Sequence, residues 1–278
     1  MTGRHRFAAL LVVVLSSAAG RVSAQPAEAR GQVLMAAHQA AVAEAIRSLP
    51  KQIKKFYENH RQEMPSQALE PAFPARGHDR RFLVDRLLPF PFAGLPRSES
   101  ALVSKFGDEA EAVGRLPWLL QDSYDRLVDA FRAGDVVRIL EGSDETAGLV
   151  VDVHSPLNLT KNFDGQETGQ HGLWLRVLDR LPTAMGKGLK LQADAANYLD
   201  DPDEYVFSMM LESYVWADNV FYLEELASRG KSGHGAPYYD ALARRVGPIL
   251  RTRLSRAAED AGSYWYTAWT VAGRPDVK

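Results

Sequence analysis

The chain has 278 residues, no cysteine and a formal net charge of −2 at neutral pH. This length allows one large domain or two small ones, and it is sufficient to bury a core without disulfides. A mildly acidic chain with no basic run does not carry the pattern of a nucleic-acid-binding protein, because phosphate neutralisation supplies most of that affinity.

The first 24 residues have the pattern of a secretory signal peptide. Arg4 and Arg6 precede the apolar run FAALLVVVL, and small residues follow up to Ala24. The apolar run is shorter than the roughly 20 residues that a membrane span needs. We therefore expect a signal peptide at 1–24 and a mature chain at 25–278 that has no transmembrane segment and is periplasmic or secreted.

Helical periodicity and composition dominate the rest of the chain. They predict helices over residues 33–48, 51–60, 98–114, 116–134, 135–154, 172–181, 199–227 and 238–271. Residues 64–97 hold six of the fifteen prolines and are predicted to be irregular. Only GLVVDV, at 148–153, could also be a short buried strand on composition. The simplest fold is one all-α, multi-helix domain over 25–278.

The start of the helix at 199–227 has an N-terminal cap pattern. Asp201 is the predicted N-cap, Pro202 the first-turn proline and Glu204 the capping-box partner. Asp200, Asp201 and Asp203 could instead form a cation site. The cap is the preferred interpretation, because calcium loops space their ligands more widely and usually contain a glycine turn.

Several segments together resemble one protein family. They are HQAAVAEAIRSLPKQIKKFYENH, FLVDRLLPFPFAGLPRSESALVSKFG, GRLPWLLQDSYDRLVDAFRAGD, DVHSPLNLTKNFDGQETGQ and SYWYTAWTVAGRP. In order and spacing they resemble the bacterial branch of the zinc-dependent phospholipase C and single-strand-specific nuclease superfamily, over roughly 31–275. The resemblance implies an all-α fold whose trinuclear zinc cluster hydrolyses phosphodiesters.

The zinc ligands that the resemblance implies are mostly absent from this chain. His38 matches a histidine of the first helix, Asp152 the acid of a His-x3-Asp-x5-His motif, and His171 the histidine of a His-x3-Asp/Glu motif. These three are all that is kept of nine ligands.

The other six ligand positions carry residues that do not suit zinc. In chain order these are Gln25, Ala72, Arg80, Gly148, Asn158 and Leu175. His78 is the alternative match to Arg80 if the irregular segment is shifted by two residues. Arginine is permanently cationic, so an inward-pointing Arg80 would repel a metal ion. A three-zinc cluster is therefore not expected.

A single reduced zinc site could still form from the residues that are kept. Its candidate ligands are His38 and Asp152, joined by His154, His78 or Asn158, and Asp152 is the candidate catalytic residue. His171 would belong to a different zinc. The simpler interpretation is that His38 and Asp152 form a histidine–carboxylate hydrogen bond between two helices without metal. A structural hydrogen bond is likewise expected for His171.

Three functions remain open at this point. The preferred one is an exported, non-catalytic relative of the superfamily that acts as a binding or accessory protein, without a cofactor and with an unidentified partner. The alternative is a phosphodiester hydrolase, a phospholipase or nuclease, with one zinc ion near His38 and Asp152. Acid–base chemistry by His154 and Asp152 without metal is the third. A phospholipid or another phosphodiester is the ligand class implied by the resemblance.

Overall fold

The regular elements are helices throughout. The computed structural model describes residues 27–64 and 78–278, and no strand occurs within these ranges. The prediction of one all-α domain is confirmed, and GLVVDV lies in a helix. The predicted signal peptide at 1–24 lies outside the described residues, as do Gln25 and Ala72.

The helices follow one another with short connections, apart from the segments before Glu99, before Leu173 and before Pro202. They are α1 Ala27–Ser48, α2 Lys51–Asn59, α3 Glu99–Phe106, α4 Asp108–Glu111, α5 Leu116–Ala133, α6 Val136–Val153, α7 from Leu173–Leu175 through Arg176–Arg180 to Leu181–Met185, α8 Pro202–Tyr214, α9 Ala217–Ser228, α10 Ala236–Arg245 and α11 Gly247–Val271. Short 3₁₀ turns lie at Val84–Arg86, Pro156–Asn158 and Gly186–Gly188. Among the described helices, none combines the length and the apolar character that crossing a bilayer requires.

Three predicted helices are each divided in two. Gly107 has φ 56°, which ends α3 before α4 begins. Pro248 lies in the first turn of α11, where its missing N–H is tolerated, so the predicted 238–271 helix breaks at Val246. The break between α8 and α9 at Val215 and Trp216 has no glycine or proline to mark it.

The middle of α7 is a π-helical turn. It spans Arg176–Arg180 and precedes Pro182. A proline has no N–H and its ring crowds the carbonyl four residues earlier, so a wider turn relieves the contact. The turn also changes which side chains of α7 share a face.

The core is built around α11. This helix packs against α1 and α6, and α6 in turn packs along α5. The fully buried Trp265 stacks on Tyr57 with ring centroids 4.7 Å apart, and its indole N–H donates to the Ser143 carbonyl at 2.9 Å. These contacts hold α6 in place, and α6 carries the candidate site.

The N-terminal cap of α8 is confirmed in part. Asp201 Oδ1 accepts a hydrogen bond from the Glu204 backbone N–H at 3.0 Å, and Pro202 begins the helix. The capping-box role predicted for Glu204 is wrong. Its carboxylate instead binds the Arg97 guanidinium through two bonds of 2.8 Å.

Candidate functional site

One face of α6 carries the residues at the centre of the candidate site. Asp144, Gly148 and Asp152 are spaced four apart, which places them above one another along a helix. His38 from α1 and Arg80 from the segment before α3 lie against this face.

His38 binds the first of these residues. Its Nε2 donates to Asp144 Oδ1 over 3.1 Å, and both side chains are buried. A histidine–carboxylate bond between two helices was predicted, but with Asp152 as the acceptor. The prediction of the partner is wrong, since Asp144 lies two turns earlier on the same face of α6.

Arg80 binds Asp152. Its Nε donates to Asp152 Oδ2 over 2.5 Å, and the two side chains are only 16% and 18% exposed. Arg80 therefore points inward. His78 does not replace it, because the His78 ring lies 3.0 Å from the Glu111 carbonyl in an exposed position.

Gly148 leaves the space that the arginine needs. A Cβ at this position would lie 3.1 Å from Arg80 Nη2 and 3.5 Å from His38 Cε1. The first distance is tighter than ordinary carbon contacts, so any larger side chain would displace the guanidinium. The resemblance places a zinc-binding histidine here, and that side chain and the observed Arg80 conformation exclude each other.

Asn158 links the carboxylate to the neighbouring tryptophan. Its amide nitrogen lies 3.0 Å from the Asp152 carbonyl and 3.4 Å from Asp152 Oδ1. Its amide oxygen accepts from Trp174 Nε1 at 2.8 Å. Asn158, which stands where the resemblance implies the second histidine of the His-x3-Asp-x5-His motif, thus connects Asp152 to Trp174 by hydrogen bonds.

Burial is the main influence on Asp152. It raises the pKa of the carboxyl, and the attraction of Arg80 offsets part of that rise. Asp152 Oδ2 is already the acceptor of the Arg80 bond. Asp152 is therefore arranged as half of an ion pair.

His154 lies in a separate buried network. Arg253 Nη2 donates to its Nδ1 at 2.5 Å, so the ring proton is on Nε2, which donates to Asp260 Oδ2 at 2.7 Å. Burial lowers the pKa of His154, although the Asp260 carboxylate opposes the shift. His154 is therefore a neutral ring with both nitrogens engaged.

The same network joins three helices. Tyr205 on α8 donates to Asp260 Oδ1 at 2.8 Å, and Arg253 also donates to Ser213 Oγ at 2.8 Å. Sequence reasoning missed Arg253 and Asp260. They are seven residues apart on the apolar face of α11. Charged residues on a face that is otherwise apolar indicate a buried ion pair or hydrogen-bond network, so this pattern could have identified them.

His171 lies outside both groups. The residue is exposed, and Leu175 follows it in α7 where the resemblance implies an acid. The start of α7 is instead held by Asp164, whose carboxylate accepts from the backbone N–H groups of Gly172 at 3.0 Å and Trp174 at 3.1 Å. The predicted structural hydrogen bond of His171 is not among the contacts that the structure describes.

The four predicted metal residues therefore have four different surroundings. His38 binds Asp144, Asp152 binds Arg80, His154 binds Asp260, and His171 is exposed. Within residues 27–64 and 78–278, no three histidine, aspartate or glutamate side chains are grouped so that they could hold a metal ion. The donor set does not fit zinc, which needs lone pairs on nitrogen, oxygen or sulfur where this chain presents a guanidinium.

A second arginine lies beside the candidate site. The guanidinium of Arg81 is 4.0 Å from the centre of the Phe163 ring and 5.3 Å from that of Trp174. Burial lowers its pKa, and its Nε is a buried donor with no partner among the described residues. The candidate site thus holds the guanidinium groups of Arg80 and Arg81 near the Asp152 carboxylate, which Arg80 binds, while the Asp164 carboxylate is engaged by backbone N–H groups.

Comparisons with known proteins do not extend this description. A search against models of protein families and a search of curated proteins each returned no match to the chain.

Proposed function

We propose that this chain is an exported, non-catalytic relative of the zinc-dependent phospholipase C and nuclease superfamily, and that it acts as a binding or accessory protein. The observation that carries the proposal is the Arg80–Asp152 pair. The Arg80 guanidinium lies where the resemblance implies a zinc ligand, and it binds the carboxylate of Asp152, one of the three ligands that match.

Electrostatics support the proposal. A metal ion at Asp152 would have to displace a buried, hydrogen-bonded cation and then remain close to it. Two positive groups a few ångströms apart in a poorly solvated site repel each other strongly. Gly148 and Asn158 add no negative charge that would compensate.

The same charges support a ligand class. A phosphodiester is an anion, and guanidinium groups bind phosphate oxygens through paired N–H donors. Arg81 has an unpartnered Nε beside Phe163 and Trp174. Without a metal to ionise water, such a site binds a phosphodiester but does not cleave it.

A hydrolysis assay with bis(p-nitrophenyl) phosphate tests the proposal that the chain is non-catalytic. The mature chain, with zinc added or with chelator, is expected to release nitrophenol no faster than buffer containing the same zinc. Asp152→Asn is expected to give the same rate. Hydrolysis that is lost with chelator and also lost in Asp152→Asn would show a working metal site and would contradict the proposal.

Binding of the same compound is measured by calorimetry. Arg81→Gln is expected to weaken binding by roughly tenfold, because it removes a charge-assisted hydrogen bond. The control is Arg132→Gln, since that side chain is 55% exposed and pairs only with Asp129 in the described structure. Equal loss in both variants would indicate general charge attraction and would remove Arg81 from the site.

A further inference from the structure

An exposed apolar patch lies where the segment before α3 meets the end of α8. Phe90, Leu211 and Val215 are 53%, 36% and 49% exposed. They are contiguous, because Phe90 stacks on Tyr214 with ring centroids 6.0 Å apart and Leu211 lies one turn before Val215. Single apolar residues are common on protein surfaces, whereas contiguous groups mark interaction sites. We call these four residues the apolar patch.

A pocket of about 350 Å³ opens beside the apolar patch. Tyr214 and Val215 belong to both, so the patch and the pocket form one continuous surface. The wall of the pocket also includes Asp85, Asp218 and Phe221. An engineered cavity of about 150 Å³ holds a benzene molecule, so this pocket has room for a long side chain.

The pocket is negatively charged. Three carboxylates line it, from Asp85, Glu167 and Asp218, and its described lining contains no lysine or arginine. Of the three, Glu167 alone forms a salt bridge within the described structure, with Lys161 Nζ at 3.7 Å. Asp85 accepts from the Thr160 hydroxyl at 2.8 Å and from the Lys161 backbone N–H at 2.6 Å, and these neutral donors leave its charge unbalanced.

Tyr214 connects the apolar patch to these charges. Its hydroxyl donates to Asp85 Oδ2 at 3.4 Å. Burial and the charges of Asp85 and Asp218 raise the pKa of Tyr214 to about 12. A cation in the pocket would therefore lie among carboxylate oxygens and beside the aromatic residues Tyr214 and Phe221, and aromatic rings attract cations.

The combination of negative charge and exposed apolar groups identifies the kind of partner. The three carboxylates repel an anionic membrane or a nucleic acid. A small inorganic cation would leave the apolar patch uncovered. A basic segment of a protein fits both parts, because lysine and arginine cover apolar surface with their methylene groups and bind carboxylates with their charged ends.

We propose that the apolar patch and this pocket form a docking site for a basic segment of a partner protein, in which a lysine or arginine enters the pocket and a neighbouring apolar side chain covers Phe90 and Val215. The inference rests on the accessory role proposed above, for which it names the kind of partner. The docking site uses none of Arg80, Arg81 and Asp152, so the hydrolysis and phosphodiester-binding assays succeed or fail independently of it.

Fluorescence anisotropy with short labelled peptides tests the proposal. A peptide of alternating lysine and leucine is expected to bind the mature chain saturably. Replacing its lysines by glutamine, or its leucines by serine, is expected to weaken binding by at least about tenfold, because each change removes one half of the contact. Absence of saturable binding, or equal binding of the three peptides, would overturn the proposal.

Two pairs of variants locate the binding. Asp218→Asn is expected to weaken binding of the lysine–leucine peptide by about threefold to tenfold. Asp108→Asn also removes an exposed acid from the first turn of a helix and should leave the affinity unchanged. Val215→Ser should weaken binding by about threefold, while Val137→Ser makes the same change at a side chain that is 62% exposed and should have no effect. Equal losses within either pair would overturn the proposed site.

Two other occupants of the apolar patch are tested with the same variants. Sedimentation velocity that shows a dimer of the natural chain, dissociated by Val215→Ser, would assign the patch to a second copy of this chain. Uptake onto phosphatidylcholine vesicles that is lost in Val215→Ser would assign it to a lipid surface. Either result would overturn the proposal, which predicts a monomer that does not bind these vesicles.

Discussion

At the scale of single residues, Arg80 is the positive partner of Asp152, at a position where the resemblance implies a zinc ligand. A guanidinium bound to a carboxylate at 2.5 Å satisfies the same negative charge that zinc would. The Arg80 conformation depends on its neighbours, because a Cβ at position 148 would lie only 3.1 Å from Arg80 Nη2. Arg80 and Gly148 therefore act together in this arrangement.

Arg80→Ala is predicted to destabilise the protein by about 3 kcal/mol at pH 7.5, because it leaves Asp152 buried without its cation. Loss of Arg80 also removes the positive charge and the hydrogen bond that lower the pKa of Asp152. That carboxyl then takes up a proton more readily in the folded state, so the destabilisation should shrink as the pH falls toward 5. Urea denaturation at the two pH values measures both effects.

The double variant Arg80→Met/Asp152→Leu is the matched control. It replaces the pair by apolar groups of similar size and should recover much of the lost stability. If Arg80→Ala cost no more than about 0.5 kcal/mol, as expected of an exposed pair, the ion pair would not be the centre of this site.

His154 makes the stability of the fold depend on pH. Its folded-state pKa lies below the ordinary value of 6.5, so the unfolded chain binds a proton that the folded chain rejects as the pH falls. Stability is therefore full above pH 6.5 and is lost below it, by up to about 1.4 kcal/mol per pH unit.

The comparison with His154→Gln isolates this effect. Between pH 6.5 and 5 the free energy of unfolding of the natural chain should fall more steeply than that of the variant. Parallel profiles would mean that His154 is not held neutral in the fold.

For His38, the sequence predicted the type of contact but not the partner. A histidine–carboxylate bond was foreseen for His38, but its acceptor is Asp144 rather than Asp152. Both acids share one face of α6, and spacing along a helix does not say which turn faces α1. Which turn of α6 faces His38 depends on the axial offset between α1 and α6, and tertiary packing sets that offset.

At the scale of elements, the sequence predicted the N-cap and the first-turn proline of α8, but it did not predict the points at which three helices are interrupted. Asp201 and Pro202 mark the start of α8 as predicted. Gly107 and Pro248 carried signals for breaks that a reading based on apolar periodicity passed over. The turn at Val215 and Trp216 had no local signal, so packing alone sets it.

Asp201→Ala is predicted to destabilise the protein by about 1 kcal/mol, because it removes the acceptor of the Glu204 N–H at the start of α8. Asp200→Ala removes the same charge one residue earlier, at an exposed position, and should cost less than about 0.5 kcal/mol. Chemical denaturation of the two variants gives the difference. Equal values would assign the effect to charge rather than to capping.

At the scale of the whole molecule, the sequence supports the fold class better than the site. The all-α architecture follows from helical periodicity spread over most of the chain. The buried network of Arg253, Asp260 and His154 joins segments about one hundred residues apart, and no local pattern shows that they meet. The mismatches to the zinc-ligand pattern that the resemblance implies were visible in the sequence, whereas the Arg80–Asp152 ion pair needed the structure.

The zinc content of the mature chain tests the central claim most directly. The protein is equilibrated with micromolar zinc, desalted and analysed for metal, beside a variant carrying Arg80→His, Gly148→His, Asn158→His and Leu175→Glu. We predict less than about 0.1 zinc per natural chain, because His38, Asp152 and His171 have different surroundings and cannot hold the ion together through desalting. The variant should retain more zinc than the natural chain. About one zinc or more per natural chain would contradict the account.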